Sequence, residues 1–164
     1  MEIILATEQH IPVIRDIAYD TWPHTFGEIL SKEQIAYMLE LMYSTGSLKK
    51  QMNELGHRFF IAAEGDRFYG YASYEVNYKQ GPKTKIHKIY ILPQSQGLGV
   101  GKKLMDKVVE TAIIHQNTQL TLNVNRDNKA LDFYKKIGFE VSDKEDIDIG
   151  DGFIMEDFVM VKAI

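Results

Sequence analysis

The chain has 164 residues, a formal charge of −4 and a hydrophobic content of 45%. That content excludes disorder as the default state, and the length suits one domain, residues 1–164, around one core. The acidic balance argues against a nucleic-acid partner, and the absence of cysteine excludes disulfides, thiolate metal sites and a thiol nucleophile.

No apolar run approaches the roughly 18 residues of a membrane span. The start, "MEIILATEQH", is acidic and lacks the basic flank of a signal peptide. A soluble, cytoplasmic protein with no membrane partner is the expectation.

In chain order, Glu2 to Ala6 reads as a first strand. Thr7 can cap a helix running to about Asp20, with Ile11, Ile14, Ile17 and Ala18 on one face. Ser31 to Gln34, "SKEQ", has capping-box spacing and opens a second helix over Lys32 to Tyr43. A shorter third helix is expected from Ser47 to Leu55, stopped by Gly56. The apolar period then becomes strand-like, with Arg58 to Glu64 and Arg67 to Tyr78 flanking the "GD" of a hairpin. After the loop "YKQGPK", Lys85 to Leu92 is a strand that Pro93 ends. A glycine-rich turn opens a helix to about His115, Leu120 to Val124 is a strand, and Asn128 caps a helix ending at Gly138. Phe139 to Lys144 and Phe153 to Lys162 close the chain as strands joined by an acidic loop. The expected order is β-α-α-β-β-β-α-β-α-β-β. A helix crossing between two strands implies a parallel pair inside a mixed sheet, so the class is α+β.

The stretch "LPQSQGLGVGKK" raises the sharpest question, because Gly97, Gly99 and Gly101 bare the backbone where a helix begins and Lys102 and Lys103 follow. Free amides at a helix start carry partial positive charge, and glycine lets an anion approach them, which makes a phosphate cradle. A Walker loop needs Ser or Thr after Gly-Lys, where this chain has Lys103. A dinucleotide fingerprint needs its third glycine one residue later and lies early in a βαβ unit. Neither fits.

Gln96, Gly99 and Gly101 form Gln-x-x-Gly-x-Gly after the strand "HKIYILP", which resembles the acetyl-CoA loop of the GNAT superfamily of N-acetyltransferases. "NVNRDNKALDFYKKIGFEV" is similar to that family's second signature, a strand, a short helix with a tyrosine, then Gly-Phe. The resemblance is specific from Ile86 to Val141 and looser over Phe59 to Tyr78. It implies the GNAT fold, a twisted mixed sheet of about seven strands flanked by four to five helices, and acetyl-CoA as acetyl donor. It also implies that main-chain groups of Ile89, Tyr90 and Ile91 hold the pantetheine arm as an added strand. Amides of Gln96, Gly97, Leu98, Gly99, Val100, Gly101 and Lys102 would bind the diphosphate, and Asn128, or Asp127 in its place, would touch the cofactor. A homodimer accords with family habit.

Acetyl transfer to an amine has three needs. An alkyl ammonium near pKa roughly 10.4 must lose its proton, the carbonyl oxygen needs an aimed donor, and the departing thiolate needs either a proton or stabilisation. Read alone, Tyr134 is an aromatic on a core-facing stripe with Leu131, Phe133 and Ile137. The resemblance makes it the acid beside the sulfur. The carbonyl donor would be a strand amide near Ile91. For the base, many relatives carry an acid where this chain has His87 or Lys88. His87, titrating near roughly 6.5 when unperturbed, is the first candidate, Glu75 on the neighbouring strand the second, and a water the third. His10, His24, His57 and His115 show no ligand spacing, so no metal is expected.

In the family the first two helices wall the acceptor site. Trp22, His24, Phe26 and Tyr37 lie in that stretch, and they serve either an amine or the core. "SDKEDIDIGDGFIMED" carries seven acidic residues against one lysine. Among them Asp148, Asp151, Glu156 and Asp157 could draw in a cationic amine, and "GFIMEDFVM" resembles the ending of members grouped with polyamine acetyltransferases. The expected function is acetyl transfer to a primary amine of a small molecule, polyamine-like in one version. The alternatives are a protein or peptide N-acetyltransferase and a catalytically silent CoA-binding sensor.

Overall fold

The computed structural model describes all 164 residues. Seven strands form one sheet in the order β1-β2-β3-β4-β5-β7-β6, antiparallel throughout except between β4 and β5. The strands are β1 Glu2–Leu5, β2 Arg58–Glu64, β3 Arg67–Glu75, β4 Lys83–Ile91, β5 Gln119–Asn125, β6 Glu140–Gly150 and β7 Phe153–Ala163. The helices are α1 Ile11–Phe26, α2 Lys32–Tyr43, α3 Thr45–Asn53, α4 Val100–Ile114 and α5 Ala130–Lys136. The sheet, its five helices and the parallel crossover through α4 match the expected mixed α+β architecture.

The two faces of the sheet are buried separately. On one, α4 lays Leu104, Val108 and Ala112 against Ile86, Leu120 and Leu122. On the other, α1, α2 and α3 bring Ile14, Trp22, Tyr43 and Leu48 against Phe59 and Tyr71. Alternation along β4 connects the two: Ile86, Ile89 and Ile91 pack toward α4, while Tyr90 turns toward α1.

Beyond shifts of one or two residues at the ends of α3, β4 and others, three elements depart from the sequence expectation. α1 runs past Asp20 to Phe26, because Thr21, Trp22 and Phe26 extend the buried stripe. The helix tolerates Pro23 within it while the Thr21 hydroxyl bonds the Ile17 carbonyl at 2.8 Å. β3 stops at Glu75 instead of Tyr78, since Asn77, Lys79 and Gln80 take positive φ angles. The acidic stretch after Lys144 is strand rather than loop: β6 continues to Gly150 and pairs with β7, with Asp146 opposite Glu156 and Asp148 opposite Ile154. Charge density hid the strand, because exposed residues fill both of its faces.

The tip of this hairpin is tied to α2. Tyr37 donates its hydroxyl to the Ile149 carbonyl at 2.8 Å and stacks obliquely on Phe153, and Gln34 Nε2 donates to the Ile154 carbonyl at 3.3 Å. Gly150 permits the approach, since it sits at φ +91° and a Cβ there would meet Tyr37 Oη at 2.7 Å. Gly150→Ala is therefore expected to lower unfolding stability by about 1–3 kcal/mol. Amide exchange should quicken at the hairpin tip, and an unchanged denaturation midpoint would contradict this tie.

Candidate functional site

The site begins where two strands part. β4 and β5 pair from Lys83–Gln119 to Ile86–Leu122 and no further, although β4 continues to Ile91 and β5 to Asn125. Leu92 N donates to the Tyr69 carbonyl at 2.9 Å. Main-chain groups alternate in direction along an antiparallel strand. Leu92 and Tyr90 therefore face β3, and Ile89 and Ile91 direct their N–H and C=O groups into the gap. Of the three residues expected to offer backbone there, Tyr90 instead commits its main chain to Tyr71 across the ladder. Its ring enters the α1 face against Trp22 and Phe26.

The glycine turn stands at the wide end of the gap. Gly97 and Gly99 have φ +82° and +76°, conformations costly to other residues, and open space lies where their Cβ atoms would be. Gly101 is helical, and its missing side chain leaves room beside Phe133. The amides of Gly97, Leu98, Gly99, Val100, Gly101 and Lys102 donate to no group in the protein; the first bonded amide of the helix is Lys103, on the Gly99 carbonyl at 3.1 Å. Gln96 falls outside this row because its amide bonds Pro93 O at 3.3 Å. Lys102 adds an exposed ammonium, paired with Asp106 at 2.7 Å. Six consecutive free amides at a helix start make an anion cradle.

α5 brings Tyr134 to the gap. The side chain is 7% exposed and its ring meets Phe133 and Phe139 edge-on. Burial raises the phenol's pKa, so the hydroxyl stays protonated. That hydroxyl has no partner in the protein, nor is it among the four sealed, unpartnered polar side-chain atoms (Arg15 Nε, Trp22 Nε1, His57 Nδ1 and Ser73 Oγ). It therefore keeps some exposure to solvent. Burial first, then the phenols of Tyr43 and Tyr134 and the Asp157 carboxyl, push the Tyr90 phenol upward. Asn128 Oδ1 accepts the Ala130 amide at 2.9 Å at the start of α5, and the Asp127 amide bonds Asn125 Oδ1 at 2.9 Å. Asn128 thus uses its oxygen as a cap and keeps its side-chain NH₂ free.

At the narrow end, a register shift beside Ser73 and Tyr74 bulges β4 at His87. His87 Nε2 lies 3.0 Å from Glu75 Oε1, and His57, just before β2, stacks on His87 at 3.8 Å with its own Nε2 3.6 Å from the same oxygen. Burial, reinforced by His57, Lys88 and Lys85, holds the His87 imidazole well below its usual range. Burial and Lys88 bring His57 to about 4. Burial raises the Glu75 carboxyl, with Lys85 opposing. A neutral His87 facing a carboxylate carries its proton on Nε2 and leaves Nδ1 as an acceptor. Lys88, also on β4, is lowered by burial to about 7 and donates to Gln51 Oε1 at 2.5 Å.

Spacing in the sequence gave no hint of His57. The register does: with Arg58 opposite Tyr74, the next position outward puts His57 opposite Glu75. The ligand atoms of His57, Glu75 and His87 lie within 4.8 Å of one another, a grouping able to hold an ion. However, His57 Nδ1 is buried without a partner, so a metal on Nε2 would force an unsatisfied N–H there. The arrangement suits proton handling better.

The expected acceptor residues separate. Trp22 and Phe26 are 2% and 3% exposed and serve the core, stacked at 4.5 Å, so they are not available to an acceptor. Tyr37 spends its hydroxyl on the hairpin tie. Glu156 is exposed on β7. Its neighbour Asp157 is buried, raised by desolvation and held by Asn123, which also accepts from Lys85 at 2.8 Å. Glu75, the second candidate base, does stand at the narrow end of the gap, 3.0 Å from His87 Nε2. No helix is long and apolar enough to cross a membrane.

A family model described as "Acetyltransferase (GNAT) domain" matches residues 28–157. The chain is 25% identical over 170 residues to an uncharacterized N-acetyltransferase of Lactobacillus delbrueckii subsp. lactis, covering 100% of this chain and 98% of that one. It is 36% identical over 78 residues to the thialysine N-epsilon-acetyltransferase of Bos taurus, but spans only 46% of that relative's length and 46% of its own. Its fold superimposes on the paia N-acetyltransferase of Thermoplasma acidophilum, solved in complex with coenzyme A, with a TM-score of 0.82 at 23% identity and full coverage of both chains. The chain belongs to the GNAT acetyltransferases, whose acetyl donor is acetyl-CoA.

Proposed function

We propose that residues 1–164 form one N-acetyltransferase domain that moves acetyl from acetyl-CoA to a primary amine of a small molecule. The observation that supports this reading is the row of six free amides beside the unpaired edge of β4, with a carboxylate–imidazole pair at the narrow end; the unpartnered phenol of Tyr134 on α5 completes the set. The donor fits: amides 97–102 suit a diphosphate, and the outward groups of Ile89 and Ile91 suit an extended amide-bearing arm. When bound, acetyl-CoA supplies an acetyl thioester.

The protein's own groups then have distinct tasks. Tyr134 holds a proton at Oη for a departing thiolate. The outward amide of Ile89 or Ile91 offers a donor to the carbonyl oxygen. His87 Nδ1 takes the amine's proton, and Glu75 fixes the tautomer through Nε2 and stabilises the imidazolium that forms, by the logic of a carboxylate–histidine pair. Asn128 offers its NH₂ to the cofactor. A small acceptor is favoured because Tyr37 and Gln34 bridge α2 to the β6–β7 hairpin across the acceptor side. Attraction of a cation fits the carboxyl groups of Glu75, Glu145 and Asp157 around Lys85. The exposed acids of that hairpin keep a basic peptide as the second acceptor class, and a silent CoA sensor would have no use for the open phenol. The panel that tests the reading is acetyl-CoA with small amines and short peptides, followed by thiol release; tight CoA binding without turnover on any amine would sink it.

Tyr134→Phe is expected to lower kcat on the order of 100-fold while leaving the CoA dissociation constant within about threefold. Equal turnover would remove Tyr134 as the acid. In Gly99→Val, strain at φ +76° should cost about 1–3 kcal/mol and abolish CoA binding in calorimetry. A folded Gly99→Val protein that still binds CoA tightly would refute the cradle. Because burial depresses His87 and raises Glu75, the pair takes up its proton in acid, so log(kcat/KM) should fall as pH drops below the ordinary histidine range. His87→Ala should change that acid limb along with kcat, and an unchanged profile would exclude His87 as base.

A further inference from the structure

Lys88 leaves β4 beside His87 but has no counter-ion. Its ammonium lies 5.5 Å from the Tyr43 ring centroid and 5.6 Å from that of Phe59, and one proton goes to Gln51 Oε1. Gln51 is 6% exposed and cannot turn away, since its Nε2 donates to Met42 O at 2.7 Å and Ser47 Oγ at 3.1 Å. The protein's ion pairs do not include Lys88. A cleft of about 400 Å³ opens onto it, and its polar lining is Ser47, Lys50, Gln51, His57, His87 and Lys88, with no carboxylate.

An ammonium drawn out of water without an anion is unfavourable, and two ring faces with one neutral acceptor offset only part of that. An anion entering the cleft would complete the set. His87, the proposed proton acceptor, lines the same cleft, so the anion and the reacting amine belong on one molecule. Outside the cleft lining, Glu75 holds His87 and His57 through one carboxylate oxygen, and Glu145 and Asp157 favour the charged form of Lys85. We infer that the cleft between α3 and β4 is a carboxylate subsite, and that the acceptor is an amino acid whose carboxylate meets Lys88 and Lys50 while its amine is presented to His87. This rests on the acceptor site proposed above. It departs from the polyamine version, because a diamine has nothing to offer Lys88.

The test compares L-lysine with cadaverine, which keeps the chain and the amine but lacks the carboxylate. With lysine side chains ¹³C-labelled at Cε, the Lys88 signal is assigned by its loss in Lys88→Met. Its titration should move upward in pH with L-lysine, as an adjacent anion favours the charged form, and stay in place with cadaverine. In calorimetry, Lys88→Met should weaken L-lysine binding on the order of tenfold and leave cadaverine binding within about twofold. Lys88→Met should fold at least as stably as the parent, having lost an uncompensated cation. Gln51→Glu, which supplies an internal carboxylate to Lys88, should likewise reject L-lysine. Equal responses to the two ligands, no binding of L-lysine, or equal losses in Lys88→Met would overturn the subsite. Intact L-lysine binding without acetyl transfer would leave the subsite standing and sink the proposed activity instead.

Discussion

The separation of β4 from β5 beyond Ile86 and Leu122 is the constraint on which the rest of the site depends. Strand edges left unpaired inside a protein are costly, so a gap persists only where the surrounding structure holds it open. Here two supports do so. β4 stays fixed to β3 through the Tyr71–Tyr90 pair, and β5 stays fixed to β7 through the pairs from Gln119–Ala163 to Asn125–Asp157. α4 spans the two strands from the side, and its N-terminus, with six unclaimed amides, falls at the gap's wide mouth.

Opposite charges are arranged about the closed end of the gap. Lys85 sits among Glu75, Glu145 and Asp157 on the strands, while Lys88 faces a cleft whose polar lining, Ser47, Lys50, Gln51, His57 and His87, includes no carboxylate. Burial dominates every shifted group in the cluster, lowering His87, His57 and Lys88 and raising Glu75 and Asp157. Desolvation on this scale drives each group toward its neutral form. The site thus holds bases that are free to accept a proton and an acid, Tyr134, that retains one.

Much of this was legible in residue order. The glycine turn, the Tyr134 helix and the strand before Pro93 were placed by local chemistry, and α2 and β2 fell on their expected bounds, because a capping residue and a short apolar run between charged ends are short-range signals. What escaped was set by register. The shift between Ala62 and Ala63 and the bulge at His87 decide which side chains meet, and neither leaves a mark in composition. His57 looked isolated for that reason, and Gln51 and Lys88 could be joined only once α3 was laid beside β4. The aromatics Trp22 and Phe26 stood out in residue order beyond the expected end of the helix, but whether they served a ligand or the core depended on what the sheet placed opposite them, and Tyr90 fills that place.

The most direct test of the account is a crystal structure of the protein with coenzyme A. The diphosphate should lie on the amides of residues 97–102, the arm should run along Ile91 and Ile89, and the sulfur should come to rest beside Tyr134 Oη at the level of His87. A cofactor lodged elsewhere, or a Tyr134 ring turned away from the sulfur, would contradict it.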